Sequence, residues 1–327
     1  MKSDVLKLIR STNEYMSMET ISAATQMREG TIKMCIKQLI ASGYDIDYDK
    51  EKGYHLISYP ENLTTTELLS RNNCVWVGKK IFYREEVDST NDEAKRLAED
   101  GRENGTVIVA DTQLSGRGRR GRSWISEGKN SIAMSILLRP SFSPDKASMV
   151  TLVMALAVAD VLSKLTEEEV KIKWPNDIII NKKKVCGILT EMAAEKGAID
   201  HIIIGVGINV NQKDMPEEIA SFASSMFIES DGIRYSRSQI ILAILEFFEY
   251  YYDIFVERGD FSDLVSVYET YLINVGNEVK VLDPKGEFTG TATGINDYGE
   301  LVIQKENGEF TRVSSGEVSV RGVYGYV

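Results

Sequence analysis

Histidine and cysteine are scarce in this chain of 327 residues, and each shortage removes a class of chemistry. Two histidines, His55 and His201, cannot build a histidine-rich metal centre. The three cysteines, Cys35, Cys74 and Cys186, are odd in number, far apart and form no C-x-x-C pair. That argues against disulfides and zinc and for a reducing compartment. The opening Met1-Lys2-Ser3-Asp4-Val5-Leu6 lacks the apolar core of a secretory signal. The most apolar run, Met149 to Leu162, contains Asp160 and is too short to span a bilayer, so it reads as a buried helix. A cytoplasmic, soluble chain with no membrane partner is expected. Basic charge is scarce too, with a formal net charge of -11. No G-x-x-x-x-G-K-[ST] occurs, so no nucleotide is bound as in P-loop proteins.

Against that acidic background one segment stands out. Gly116-Arg117-Gly118-Arg119-Arg120-Gly121-Arg122 packs four guanidinium groups and three glycines into seven residues. Guanidinium presents paired donors to carboxylate and phosphate oxygens, and glycine lets backbone N–H groups close on an anion. The segment reads as a loop that clamps a small anion. Its G-x-G-x-x-G spacing does not make it a dinucleotide fingerprint. The strand before it is present (106–110), but the following Ser131–Leu138 alternates as a strand where a helix is required. A nucleic-acid patch is the next rival, though the run is not repeated and no aromatic interleaves it before Trp124.

The chain divides into an α+β multidomain arrangement. Residues 1–57 carry three short helical patterns, 4–11, 18–26 and 31–42, with a turn at Arg28-Glu29-Gly30. Ile32, Ile36, Leu39 and Ile40 share one face of the third helix. Two alternating runs around an acidic turn then complete a winged helix-turn-helix. Lys33, Met34, Lys37 and Gln38 point away from the apolar face as base readers, with Arg28 and Thr31 at the phosphate-holding end. Residues 1–62 carry 8 Lys/Arg against 9 Asp/Glu, so the alternative is a helical module that no longer binds DNA. Residues 58–78 read as a linker, 79–273 as a mixed α/β body, and 274–327 as a small SH3-like β-barrel of short strands with Asp-Pro-Lys-Gly and Asn-Gly turns.

Within the body, Thr90 with Glu93 fits a capping box for a helix over 93–99, while Ser89, Thr90 and Asn91 equally suit a neutral polar ligand head. Lys173-Trp174-Pro175-Asn176-Asp177 is either a simple turn or a nucleotide and Mg²⁺ site. Lys184 opens the strand leading to Gly187. Gly205 and Gly207 sit in an apolar strand where close approach of backbone or ligand is implied.

Together these segments, in this order and spacing, resemble the bifunctional biotin–protein ligase and biotin operon repressor family over essentially the whole chain. The resemblance implies a class II synthetase-like ligase domain. It also implies a two-step reaction, in which biotin and MgATP give biotinyl-5′-adenylate and a carrier lysine then takes the biotinyl group. Ser89, Thr90, Asn91 and Gln113 would surround the ureido ring, and Gly187, Gly205 and Gly207 would let it lie against backbone. Arg117, Gly118 and Arg119 would fold over the adenylate, and Lys184 would bridge the biotin carboxylate and phosphate. By the same resemblance Arg119 and Lys184 would be the catalytic pair. Arg122, Trp124, Lys173, Asn176, Asn209 and Arg321 would face the nucleotide, and Asp177 the Mg²⁺. The implied partners are the biotin carboxyl carrier domain of acetyl-CoA or pyruvate carboxylase, operator DNA, and a second copy of the chain when the adenylate, acting as co-repressor, is bound. Alternatives are a lipoate–protein ligase, a sensor without catalysis, or a ligase with a vestigial DNA-binding unit.

Overall fold

The computed structural model describes residues 1–126, 128–282, 286–315 and 319–322, and at Ser319 and Arg321 the backbone alone. The chain forms two units, Met1–Asn73 and Cys74–Val327.

In the first unit α1 (Lys2–Arg10), α2 (Met18–Thr25) and α3 (Glu29–Ala41) precede an antiparallel hairpin of β1 (Asp45–Asp49) and β2 (Gly53–Ser58). The turn before α3 lies at Gln26–Arg28, with Gln26 in the left-handed region; Glu29 and Gly30 already belong to the helix. The buried face of α3 is Ile32, Cys35, Ile36 and Leu39, whereas Ile40 is 49% exposed. Cys35 takes the place expected for Ile40 because the apolar stripe packs at positions i, i+3, i+4 and i+7.

The expected linker is partly helical. Thr64 caps α4 (Thr65–Arg71) by accepting from the Glu67 N–H at 3.0 Å. Glu67 itself is buried and accepts from Arg10 and from the Tyr44 hydroxyl, both at 2.8 Å. A buried carboxylate needs such partners, and they fix α4 onto α1.

The second unit begins with Val75, Trp76 and Val77 donating three backbone N–H groups to the Glu249 carboxylate. A seven-stranded mixed sheet follows. It contains β3 (Ile81–Val87), β4 (Thr106–Gln113), β5 (Ser131–Leu138), β6 (Val170–Lys173), β7 (Asp177–Ile180), β8 (Lys183–Glu195) and β9 (Ala198–Asn209), in the order β3-β4-β5-β9-β8-β7-β6. Only β3 and β4 run parallel; the other neighbours are antiparallel.

One face takes α5 (Thr90–Glu99), whose Ala94, Leu97 and Ala98 pack on Ile108, Leu137 and Ile203. The opposite layer contains α6 (Ala147–Leu165), α8 (Arg237–Arg258) and α9 (Ser262–Tyr271), while α7 (Met226–Glu229) is a single helical turn between β9 and α8 in the chain. By length and composition α6 is long and apolar enough to cross a membrane, but it is mostly buried against α8 and the sheet. Its Asp160 pairs with Lys164 and accepts from the Tyr251 and Tyr271 hydroxyls. β10 (Glu278–Leu282), β11 (Phe288–Ile295), β12 (Leu301–Gln304), β13 (Phe310–Val313) and β14 (Ser319–Gly322) form an antiparallel sheet, ordered β13-β12-β11-β10-β14.

Candidate active site

Strand alternation puts Ser135, Gly205, Gly207 and Gly187 on one sheet face, since Ser135 pairs with Gly205 and Gly187 with Gly207. This is the α5 face, left open beyond the first turn of that helix. The glycines are required there by contact: a Cβ on Gly205 would strike Asn91 Oδ1, and one on Gly207 would strike the Trp124 indole.

Helix α5 starts at Thr90, three residues before the expected start at Glu93. Ser89 is its N-cap, and Thr90 caps nothing. The Thr90 N–H and hydroxyl both donate to Gln113 Oε1, at 2.8 and 3.0 Å. The tertiary partner wins because Gln113, at the end of β4, lies beside the helix start. Glu93, the other half of the supposed box, pairs with Arg84 at 2.7 Å.

Ser135 Oγ stands 2.8 Å from Thr90 Oγ1 and 2.7 Å from Asn91 Oδ1. The Asn91 Nδ2 donates to Glu191 Oε2 at 2.8 Å, and Lys95 pairs with Glu191 at 2.7 Å. Burial works to raise the Glu191 carboxyl, but Lys95 and Asn91 outweigh it and hold it below the ordinary glutamate value. Thus Thr90, Asn91 and Gln113 form a neutral, interlocked wall whose donors and acceptors are fixed from behind, with Ser89 lining the same pocket. Ser135 and Glu191 are absent from the sequence-based site; nothing in their local pattern marks them, because their partners lie 44 and 100 residues away.

Lys184 reaches this face through a bulge. Three residues separate it from Gly187, an odd spacing that places the two on opposite faces of a regular strand. The register shifts so that Ile178 pairs with Cys186 and Ile179 with Lys184, leaving Val185 extra. That extra residue turns Lys184 over, and its Nζ lies 3.1 Å from the position of a Gly187 Cβ. The lysine pairs with Asp177 Oδ1 at 2.6 Å. Asp177 and Asn176 follow a cis Trp174-Pro175 bond in the β6–β7 hairpin. Burial pushes the neighbouring Cys186 thiol up, so it offers no thiolate nucleophile.

The arginine loop folds back on itself, with Gly118 N–H to Arg122 C=O at 2.7 Å and Trp124 N–H to Gly116 C=O at 2.9 Å. Arg119 donates to Asn176 Oδ1 at 2.9 Å and to the Ser315 carbonyl at 2.6 Å. Burial lowers its pKa, with Asp177 opposing, yet guanidinium stays charged. Arg117 pairs with Asp92. The Trp124 indole lies across Gly187 and Gly207, and its Nε1 is buried without a hydrogen-bond partner.

Two cavities meet here. The smaller, about 460 Å³, contains Ser89, Thr90, Asn91, Gln113, Arg117 and the three glycines. The larger, about 2690 Å³ and open to solvent, adds Arg122, Lys173, Asp177 and Asn209. Gly118, Arg119, Trp124, Asn176 and Lys184 line both. Arg321 lies on β14 paired with Lys280, its side chain outside the described residues. The six candidate DNA readers belong to the first unit. There Lys33, Met34, Lys37, Gln38 and Arg28 are exposed and Thr31 is half-buried.

Among the described residues no group of three acidic, cysteine or histidine side chains is placed to hold a metal ion. Asp177, which lines the larger cavity together with Asp214, suits magnesium, which commonly takes one or two carboxylates plus substrate phosphates.

Residues 83–209 match the biotin/lipoate A/B protein ligase family, and residues 275–321 match the biotin protein ligase C terminal domain. The bifunctional ligase/repressor BirA of Bacillus subtilis (strain 168) is 35% identical over 311 residues, covering 94% of this chain and 95% of that protein. The Escherichia coli (strain K12) protein of the same description is 28% identical, covering 97% of each chain. Among solved structures, the biotin protein ligase from Aquifex aeolicus in complex with biotin and ATP is similar with a TM-score of 0.65 at 34% identity, covering 75% of this chain and 99% of that chain.

Proposed function

The chain belongs to the biotin protein ligase family, and from that membership we propose that it is an ATP-dependent, AMP-forming biotin–[acetyl-CoA-carboxylase] ligase that also acts as a biotin-responsive repressor. The carrying observation is Lys184, which lines both the pocket walled by Thr90, Asn91 and Gln113 and the larger cleft of Arg119, Arg122 and Lys173.

In the first step a biotin carboxylate oxygen attacks the α-phosphorus of ATP, and pyrophosphate leaves. Two anions must meet, so the site has to neutralise them at the point of contact. Lys184, held by Asp177 until ligands arrive, does this for the carboxylate and the α-phosphate. Arg119, tied to the hairpin at Asn176, covers the same junction. Asp177 would hold a magnesium ion, which when bound would supply further charge neutralisation at the phosphates. The ureido ring is oriented by Ser89, Thr90, Asn91 and Gln113, with Arg117 and Gly118 over it, and it reaches the glycine floor only when the Trp124 indole swings off Gly187 and Gly207. Arg122, Lys173 and Trp124 face the nucleotide, along with Asn209. In the second step the amine of a carrier-domain lysine attacks the acyl carbon, and AMP leaves. The loop protects the anhydride by excluding water.

The first unit acts as a winged helix-turn-helix that reads operator DNA through Lys33, Met34, Lys37 and Gln38, with Arg28 and Thr31 on phosphates; their exposure supports this reading. The C-terminal sheet acts as an SH3-like barrel. The adenylate-bound chain pairs with a second copy to span a palindromic operator. Incubation with biotin, MgATP and a biotin carboxyl carrier domain tests the ligase, with one added biotinyl group on the carrier as the expected mass. No adduct with biotin, or an adduct with lipoate instead, refutes it.

A further inference from the structure

We propose that Glu300 and Ser314, which flank β12 and β13 and line neither cavity, are positioning residues for Arg119. The proposal rests on the ligase reading above and concerns how the cation at the border of the two cavities is aimed. Arg119 donates from one terminal nitrogen to Asn176 Oδ1 at 2.9 Å and from the other to the Ser315 carbonyl at 2.6 Å. A guanidinium is a rigid planar fork, so acceptors on two separate nitrogens fix both its plane and its direction. They use two of its five N–H groups. The two acceptors share no element. Asn176 belongs to the β6–β7 hairpin, and Ser315 to the chain leaving β13. The aim is kept only if those two parts are held at one separation.

Two sets of contacts hold it. The hairpin is pinned by the buried Trp174, whose backbone N–H donates to Asn274 Oδ1 at 2.9 Å and whose indole N–H donates to the Gly299 carbonyl at 3.0 Å. The turn containing Gly299 is seated on α6, since a Cβ there would strike Leu152. Glu300, the next residue, reaches toward the other acceptor. Its carboxylate accepts from the Ser314 hydroxyl at 2.7 Å and from Asn296 Nδ2 at 2.9 Å. The backbone ladder does not supply this tie, because the register of β12 with β13 ends where Leu301 pairs with Val313. Ser314 and Ser315 lie past that pair, and a side chain carries the contact one step further. Arg119 is thus braced on both sides from one turn, 296–300. A misplacement of about 1 Å at such a group is costly in rate, because its charge must sit where the two anions meet.

The test compares full-length wild type with Ser314→Ala, Glu300→Ala and Glu300→Gln in two measurements. One is trypsin cleavage of the arginine loop without ligands. The other is single-turnover adenylate formation from biotin and MgATP, repeated in an Arg119→Ala background. Each alanine should hasten loop cleavage and slow adenylate formation about tenfold, with biotin affinity held. Glutamine still bonds the Ser314 hydroxyl and should stay within about twofold of wild type. In the Arg119→Ala background the alanines should cost nothing further. Wild-type rates in both alanine variants overturn the proposal. So does an undiminished loss on Arg119→Ala, or a fall in biotin affinity of the same size, since either effect does not run through Arg119. If wild type forms no adenylate while the alanines still hasten cleavage, the brace stands and the ligase reading alone falls.

Discussion

The two cavities that meet at Lys184 are built on opposite principles. The smaller is walled by Thr90, Asn91 and Gln113, whose polar atoms are already paired with Ser135, Glu191 and one another. The larger is lined by Arg119, Arg122, Lys173 and Lys184, two of them on a loop that leaves the sheet. A neutral bicyclic head is recognised by direction, which demands donors and acceptors fixed before it arrives. A polyphosphate is recognised by charge, which tolerates a loop that orders around it. The site therefore joins an end whose polar atoms are held by protein partners to an end lined by cations, with Lys184 at their border.

The largest effect should come from the border itself. Lys184→Ala or Arg119→Ala is expected to slow single-turnover adenylate formation at saturating ATP by about a hundred- to a thousandfold. A change below threefold would remove charge neutralisation as the principle of that end. The next test isolates the directional end. Asn91→Ala should raise the biotin KM by about tenfold while leaving the ATP KM unchanged; equal rises in both would mean the two cavities are not separable.

A pH series sharpens the same contrast. Glu191 holds Asn91 and titrates below its ordinary value. A depressed carboxyl contributes fully above the unfolded pKa of about 4.3 and loses its contribution as pH falls through the folded value. Biotin binding followed by calorimetry should thus be flat from about pH 7 to pH 5 and weaken only in more acidic solution. Weakening between pH 7 and 6 would show that Glu191 does not set the wall. The smallest effect on catalysis should follow changes in the first unit. Lys33→Ala and Lys37→Ala should each weaken operator binding by about 1–3 kcal/mol and relax its base preference, and Arg28→Ala should reduce the salt slope by about one, with biotinylation altered less than twofold. A larger loss of biotinylation would tie the ligand site to that unit.

Much of this was legible in the chain because local chemistry decided it. The arginine–glycine loop, the glycines at 205 and 207 and the buried run at 149–162 each carry their reason in composition. Capping boxes were less readable. The pattern at Thr90 and Glu93 is not a cap, while the same pattern at Thr64 and Glu67 is one, inside a stretch read as linker. Sequence contains the motif in both places; what differs is that Gln113 competes for the Thr90 hydroxyl. Ile40 illustrates the same limit, since a one-residue rotation of the buried stripe leaves it exposed.

Residue types and their order determined by themselves which groups exist to bind an anion, a neutral ring and a nucleotide, because charge, glycine freedom and apolar periodicity act over a few neighbours. Only the tertiary structure decided which of those groups are held and aimed. The bulge at Val185 that turns Lys184 onto the glycine face, the Ser135 and Glu191 support behind Asn91, and the pair of acceptors that hold Arg119 all arise from strand register and packing. Those are settled by residues far apart in the chain, where no local pattern reaches.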